Sequence, residues 1–178
     1  SDQTYESSNY LEAWYPYPSR ITATGIDDAS HLERRYPGVR FVPGDGRSLP
    51  FEDRSFDIVH ASAGIEHVGT RDDQARFLAE LWRVARVGIM VTTPNRWFPV
   101  ELHTSHPVLH WLPPQTYRWV LRRIGLDFHA EVSNLNLLSR RDATKLGRAA
   151  GIPVDVRAVR LAGWPSNLVV MARRPAAD

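Results

Sequence analysis

Residues 55–94 read "SFDIVHASAGIEHVGTRDDQARFLAELWRVARVGIMVTTP", and the order of patterns in this stretch is strand, helix, strand. "SFDIVHAS" (55–62) has the apolar centre of a buried parallel strand. "RDDQARFLAELWRVAR" (71–86) puts Phe77, Leu78, Leu81, Trp82 and Val84 largely on one helical face, with acids crowding its first turn. "VGIMVTTP" (87–94) is a second apolar strand, closed by Pro94-Asn95. Two strands joined through a long helix form a βαβ unit, which implies a parallel pair.

The same alternation extends in both directions. Upstream, residues 8–14 read as a short helix capped by Ser7 or Ser8. "RITATGI" (20–26) is a strand. "DASHLERRYP" (28–37) is a helix with Asp28 as its candidate cap and Pro37-Gly38 as its stop. "VRFVPG" (39–44) is a further strand. Downstream, residues 96–138 break the rhythm, with one helix at about 115–124. Residues 139–152 form a helix with Ser139 as N-cap and Gly151 just past its end. Residues 153–163 and 167–174 close the chain as an antiparallel hairpin at the sheet edge, turning at Gly163-Trp164-Pro165-Ser166. The expected architecture is α/β, a mostly parallel sheet with helices on both faces, in one domain over residues 1–178.

The 178 residues suffice for a packed core, and 43% hydrophobic with 24% charged residues is ordinary for a globular chain. No apolar run reaches the roughly 18–20 residues of a membrane span, and no signal-peptide pattern opens the chain. A cytoplasmic protein without a membrane span is expected. The absence of cysteine excludes disulfides, thiolate metal sites and cysteine nucleophiles. Only Lys145 among the 22 basic residues is a lysine, and the arginines fall in dispersed pairs. That dispersion argues for solvated faces and helix ends and against a nucleic-acid partner.

The chemistry-bearing stretch is "FVPGDGRSLPFEDRSFDIVHASAGIEHV" (41–68). With an acid ending the strand at 20–26, this run resembles the class I S-adenosylmethionine-dependent methyltransferases, in particular the methyltransferase-11-like group. The resemblance covers residues 8–95 best. It implies a Rossmann-like fold, S-adenosyl-L-methionine as cofactor, and methyl transfer to a small or medium-sized acceptor, oxygen or nitrogen rather than carbon. Asp27 then accepts from both ribose hydroxyls, with two carboxylate oxygens suited to a diol. Its alternative role, and the better one for Asp28, is to cap the next helix. Asp45 accepts from the adenine amino group, with Gly44 and Gly46 allowing backbone to pass close to the ring. The plain alternative is an Asp-Gly turn. Ala61 and Ser62, past a strand end, line the methionine part of the cofactor. Asp57 is structural. His67, beside Glu66, is either a base that orients the acceptor or a structural histidine bonded to a neighbouring loop.

The resemblance makes residues 96–138 the variable acceptor-binding insertion. Trp97, Phe98, His103 and Trp111 are the candidate substrate contacts, and Tyr117 and Trp119 offer further flat walls. Ordinary core packing is the alternative for each aromatic. His103, His106 and His110 have helical spacing, but Pro107 interrupts the helix, so no metal site is expected. Lipid or membrane-surface binding by this block is weakly supported for lack of clustered basic residues.

One departure from the family pattern concerns the beginning. The first twenty residues contain no glycine, so the first strand and glycine-rich loop of the family are expected to lie outside this sequence, with Ser1–Thr4 as the loop's tail. The absence of that central strand would leave sheet edges that a homodimer could cover. It also sustains a second reading, a non-catalytic or truncated methyltransferase fold serving as a binding or assembly module.

Overall fold

The computed structural model describes residues 9–101 and 103–175. The expected caps Ser7 and Ser8 and the segment Ser1–Thr4 lie outside them. The chain forms two compact units, Ser1–Pro50 and Phe51–Asp178.

The first unit contains helix α1 (Tyr10–Trp14), strand β1 (Thr22–Gly25), helix α2 (His31–Arg35) and strand β2 (Arg40–Pro43). β1 and β2 pair in parallel, from Thr22 against Arg40 to Gly25 against Pro43. Leu32, Val39, Ile21, Ala29 and Leu49 are its buried apolar residues. α2 has one turn and a half, shorter than residues 28–37 suggested. Asp28 is not its cap: Ser30 holds the N-cap position. The Asp28 carboxylate instead accepts the Ser30 N–H at 2.9 Å, an Asx turn that competes with helix. The helix stops as expected, with Gly38 in the left-handed region at φ +104°.

The second unit contains β3 (Phe56–Ser62), α3 (Arg71–Val84), β4 (Ala85–Pro94), α4 (Pro114–Arg123), α5 (Asp127–Ala130), α6 (Arg140–Ala149), β5 (Asp155–Leu161) and β6 (Trp164–Arg173). Its sheet order is β3-β4-β6-β5, with β3 parallel to β4 and the other two pairings antiparallel. α3 starts on a capping box in which Thr70 and Asp73 satisfy each other's backbone N–H. It buries Phe77, Leu78, Leu81 and Val84 and packs on β4 and α6. α3 ends two residues earlier than the pattern suggested, and β4 begins at once at Ala85, with no loop between. α6 has the expected Ser139 cap, completed by Asp142, and the expected Gly151 at φ +68°.

Two expectations change in this unit. Ile58 is 58% exposed, so β3 is not covered on both faces, and the strand order makes it an edge of its sheet. The hairpin turns at Ala162-Gly163, with φ of +49° and +84°, and Leu161 faces Trp164. Two positive φ values in a two-residue loop match the right-handed twist of the flanking strands. Pro165 and Ser166 therefore lie inside β6, where a register shift opposite Val159/Arg160 accommodates a residue with no N–H to donate.

Candidate functional site

In the first unit the parallel register aligns two acids. Gly25 and Pro43 are partners, and Asp27 and Asp45 each lie two residues beyond, at the carboxyl ends of neighbouring strands about 4.8 Å apart. Ligands of open α/β sheets bind at this edge. The Gly44 N–H donates to the Gly25 carbonyl at 2.9 Å and locks the two exits together. Asp27 is exposed and carries no hydrogen bond or ion pair among the described residues.

Asp45 is engaged locally. Arg47 Nε lies 3.0 Å from both carboxylate oxygens, Arg47 Nη2 lies 2.7 Å from Oδ2, and the Arg47 N–H donates to Oδ1 at 2.9 Å. These bonds hold the Asp45 carboxyl below its usual value. A carboxylate offers about four lone-pair positions, and the four contacts from Arg47 occupy them, so a further donor at Asp45 has to displace part of this pairing. Gly44 has an internal reason to be glycine. A Cβ there would lie 2.9 Å from Pro50 Cδ and 3.0 Å from Thr24 Oγ1.

In the second unit, Ala61 and Ser62 end β3, and the Ser62 hydroxyl accepts from Thr92 Oγ1 at 3.3 Å. The next residue, Ala63, has φ +48°, a left-handed backbone uncommon for a side chain with a Cβ. A short 3₁₀ turn, Ile65–His67, follows. Glu66 points inward with a fully buried side chain. Thr93 Oγ1 donates to its Oε2 at 2.9 Å, while Oε1 is buried with no hydrogen-bond partner. Burial pushes the Glu66 carboxyl above the usual carboxylate range.

His67 is exposed, and its Nδ1 donates to the Asn134 carbonyl at 2.6 Å. A carbonyl only accepts, so neutral His67 carries its proton on Nδ1 and a lone pair on Nε2. That Nε2 lies 3.9 Å from Glu66 Oε1. The histidine thus has the loop bond of the structural alternative and still an open nitrogen.

His103 approaches the same place from residues 96–138, its ring centroid 4.8 Å from that of His67. Its Nδ1 bonds Glu101 Oε1 at 2.7 Å. Glu101 is itself buried and also accepts the N–H groups of His103 and Thr104. Burial opposes its ionisation, but these bonds prevail and bring it down to about 2. Hydrogen bonding to Glu101 correspondingly raises His103.

The other expected residues of this block separate. Trp97 and Trp111 are exposed, 6.3 Å apart between ring centroids. Phe98 lines a shallow recess with Asn95, Glu101 and His110. Tyr117 is core, packed with Leu121 and Ala130, and Trp119 points outward beneath Arg123. His110 bonds the Phe98 carbonyl and His106 the Thr104 carbonyl, so the histidine run forms no common face. Asp57 pairs with Arg86, in keeping with a structural role.

Sequence reasoning passed over the residues that hold this region. Gln74 of α3 is fully buried and donates to the carbonyls of Ile65 and Asn136. The Asn136 N–H donates to the Glu66 carbonyl, and its side chain to the Gly69 carbonyl. A glutamine on the apolar stripe of α3 was the available signal.

Residues 7–91 match the family model described as a methyltransferase domain. The chain is 37% identical over 100 residues to a phthiotriol/phenolphthiotriol dimycocerosates methyltransferase of Mycobacterium tuberculosis, covering 53% of this chain and 33% of that protein. It is 30% identical over 147 residues to the ajmaline N-methyltransferase of Rauvolfia serpentina, covering 82% of this chain and 43% of the relative. The chain thus spans less than half the length of both curated relatives. Among solved structures, a Burkholderia thailandensis 1,6-didemethyltoxoflavin-N1-methyltransferase with bound S-adenosylhomocysteine aligns at a TM-score of 0.59 and 17% identity, covering 96% of this chain and 66% of that one. That likeness concerns the fold.

Proposed function

We propose that the chain is a class I S-adenosylmethionine-dependent methyltransferase and that it transfers the methyl group of S-adenosyl-L-methionine to a small or medium-sized acceptor, at oxygen or nitrogen. The observation that carries the reading is the pair of carboxylates at the ends of two adjacent parallel strands. Asp27 offers two acceptor oxygens to a ribose diol, and Asp45 would exchange part of its Arg47 pairing for an exocyclic amine. These groups fit the adenosine end of the cofactor.

When bound, the cofactor supplies a methyl group on a sulfonium that loses its charge on transfer. The protein's share is therefore mainly positioning and exclusion of water. Ala61 and Ser62 are assigned to the methionine part. His67, its Nδ1 bonded to a carbonyl, presents Nε2 as a lone pair that can receive an acceptor proton or orient its hydroxyl or amine. Trp97, Phe98, His103 and Trp111 are the proposed acceptor contacts. The two curated relatives bear the names of chemically different acceptors.

Calorimetric titration with S-adenosylhomocysteine tests the reading. Asp45→Ala removes a charged acceptor and is expected to weaken binding by about 1.5–3 kcal/mol, roughly 10- to 100-fold. Unchanged affinity overturns the adenine assignment. Absence of any binding by the unsubstituted chain favours the second reading, a binding or assembly module.

A further inference from the structure

We propose that Glu66, His67 and His103 form a binding site for one divalent transition-metal ion of the zinc, manganese, iron or cobalt kind. One donor atom from each of the three lies within 4.8 Å of the others. The inference stands on hydrogen bonds that leave specific atoms unused. Glu66 Oε1 is buried and unpartnered while Oε2 is held by Thr93. His67 Nδ1 is taken by the Asn134 carbonyl, which leaves Nε2, 3.9 Å from Glu66 Oε1. His103 Nδ1 is taken by Glu101, which again leaves Nε2. With both groups deprotonated, this carboxylate oxygen and imidazole lone pair face each other with no donor between them. A cation between them removes that conflict and satisfies the buried oxygen, whose isolation is otherwise costly.

The surroundings have the features of a metal site. Each imidazole has its far nitrogen fixed by a carbonyl or a carboxylate, which sets the tautomer and strengthens the ligand. Glu66 and Glu101 together bring two negative charges when ionised, matching a divalent ion. Two imidazoles with one carboxylate select borderline transition metals over calcium or magnesium, which prefer all-oxygen shells. The exposed side of His67 gives access from solvent. Three protein ligands leave coordination positions open. An acceptor oxygen could use one of them; that consequence rests on the methyl-transfer reading, whereas the site itself does not.

The test titrates the chelator-stripped protein with Co²⁺, followed by calorimetry and by visible d–d absorption. One equivalent is expected to bind with the spectrum of a mixed nitrogen and oxygen shell. His67→Ala alters an exposed side chain and is expected to keep the native circular dichroism while losing Co²⁺ affinity by more than tenfold. Glu101→Gln, which leaves all three ligands in place, is expected to lower affinity about 10- to 100-fold, and His106→Ala to change nothing. Lack of stoichiometric binding by the unsubstituted protein overturns the proposal, as does full affinity in a folded His67→Ala. Binding of S-adenosylhomocysteine without Co²⁺ binding overturns this inference alone. Co²⁺ binding without S-adenosylhomocysteine binding supports it and counts against the methyl-transfer reading instead.

Discussion

Asp142 sits where three interactions meet. Its carboxylate accepts the N–H and hydroxyl of Ser139, and Arg71 lies 3.8 Å away. Partial burial opposes ionisation, but the Ser139 bonds and Arg71 outweigh it and hold Asp142 below the ordinary 3.8. A lowered folded-state pKa contributes stability that is complete above the ordinary value and is lost as pH falls through the folded one. Asp142→Asn is therefore expected to destabilise by about 1 kcal/mol at neutral pH, the usual worth of a helix cap. Urea unfolding of both forms at pH 7 and at about pH 3 measures this, with the gap expected to shrink at the lower pH. A gap independent of pH would show that geometry, and not charge, is what Asp142 contributes. At this scale the acids were legible in the sequence, because strand ends and turns are local features. Arg47 on Asp45 was not, since an Asp-x-Arg spacing does not say whether the arginine folds back.

Among the elements, β4 carries the second unit, with β3 on one edge and β6 on the other. Its Gly88 faces Arg173 across the antiparallel ladder, and a Cβ there would stand 2.6 Å from the Ala172 carbonyl oxygen. That neighbour is backbone and cannot swing aside. Gly88→Ala is expected to destabilise by about 1–3 kcal/mol, the cost of overpacking, despite alanine's lower chain entropy when unfolded. Thermal unfolding checks this, and an unchanged or raised midpoint would refute the close approach. The long amphipathic helix and apolar strands were readable because their periodicity spans many residues. The missed details are short or non-local. The hairpin turns at Ala162-Gly163 because strand register overrides the loop chemistry of Trp164-Pro165-Ser166. Ile58 of β3 is exposed and β3 ends the sheet order, neither of which its apolar composition can reveal.

For the molecule as a whole, the two units differ in what holds them. Ser1–Pro50 has one two-stranded sheet, while Phe51–Asp178 has four strands with α3 and α6 packed together. Two strands alone are marginal in water. Backbone amides of β1 and β2 are therefore expected to exchange with solvent deuterium faster than those of β4 and β6. Saturating S-adenosylhomocysteine is expected to slow exchange around Asp27 and Asp45. Equal protection of both sheets would contradict the first expectation. Among the described residues no helix is long and apolar enough to cross a membrane. The chain's local chemistry was enough for the alternation of helix and strand, the helix cap at Ser139, and the two acids after β1 and β2, since each depends on neighbours a few residues away. The meeting of Glu66 and His67 with His103 is different. Thirty-five residues separate His67 from His103, and the carbonyl that orients His67 belongs to Asn134. Chain folding alone brings these groups together, and burial then leaves one oxygen of Glu66 without a partner.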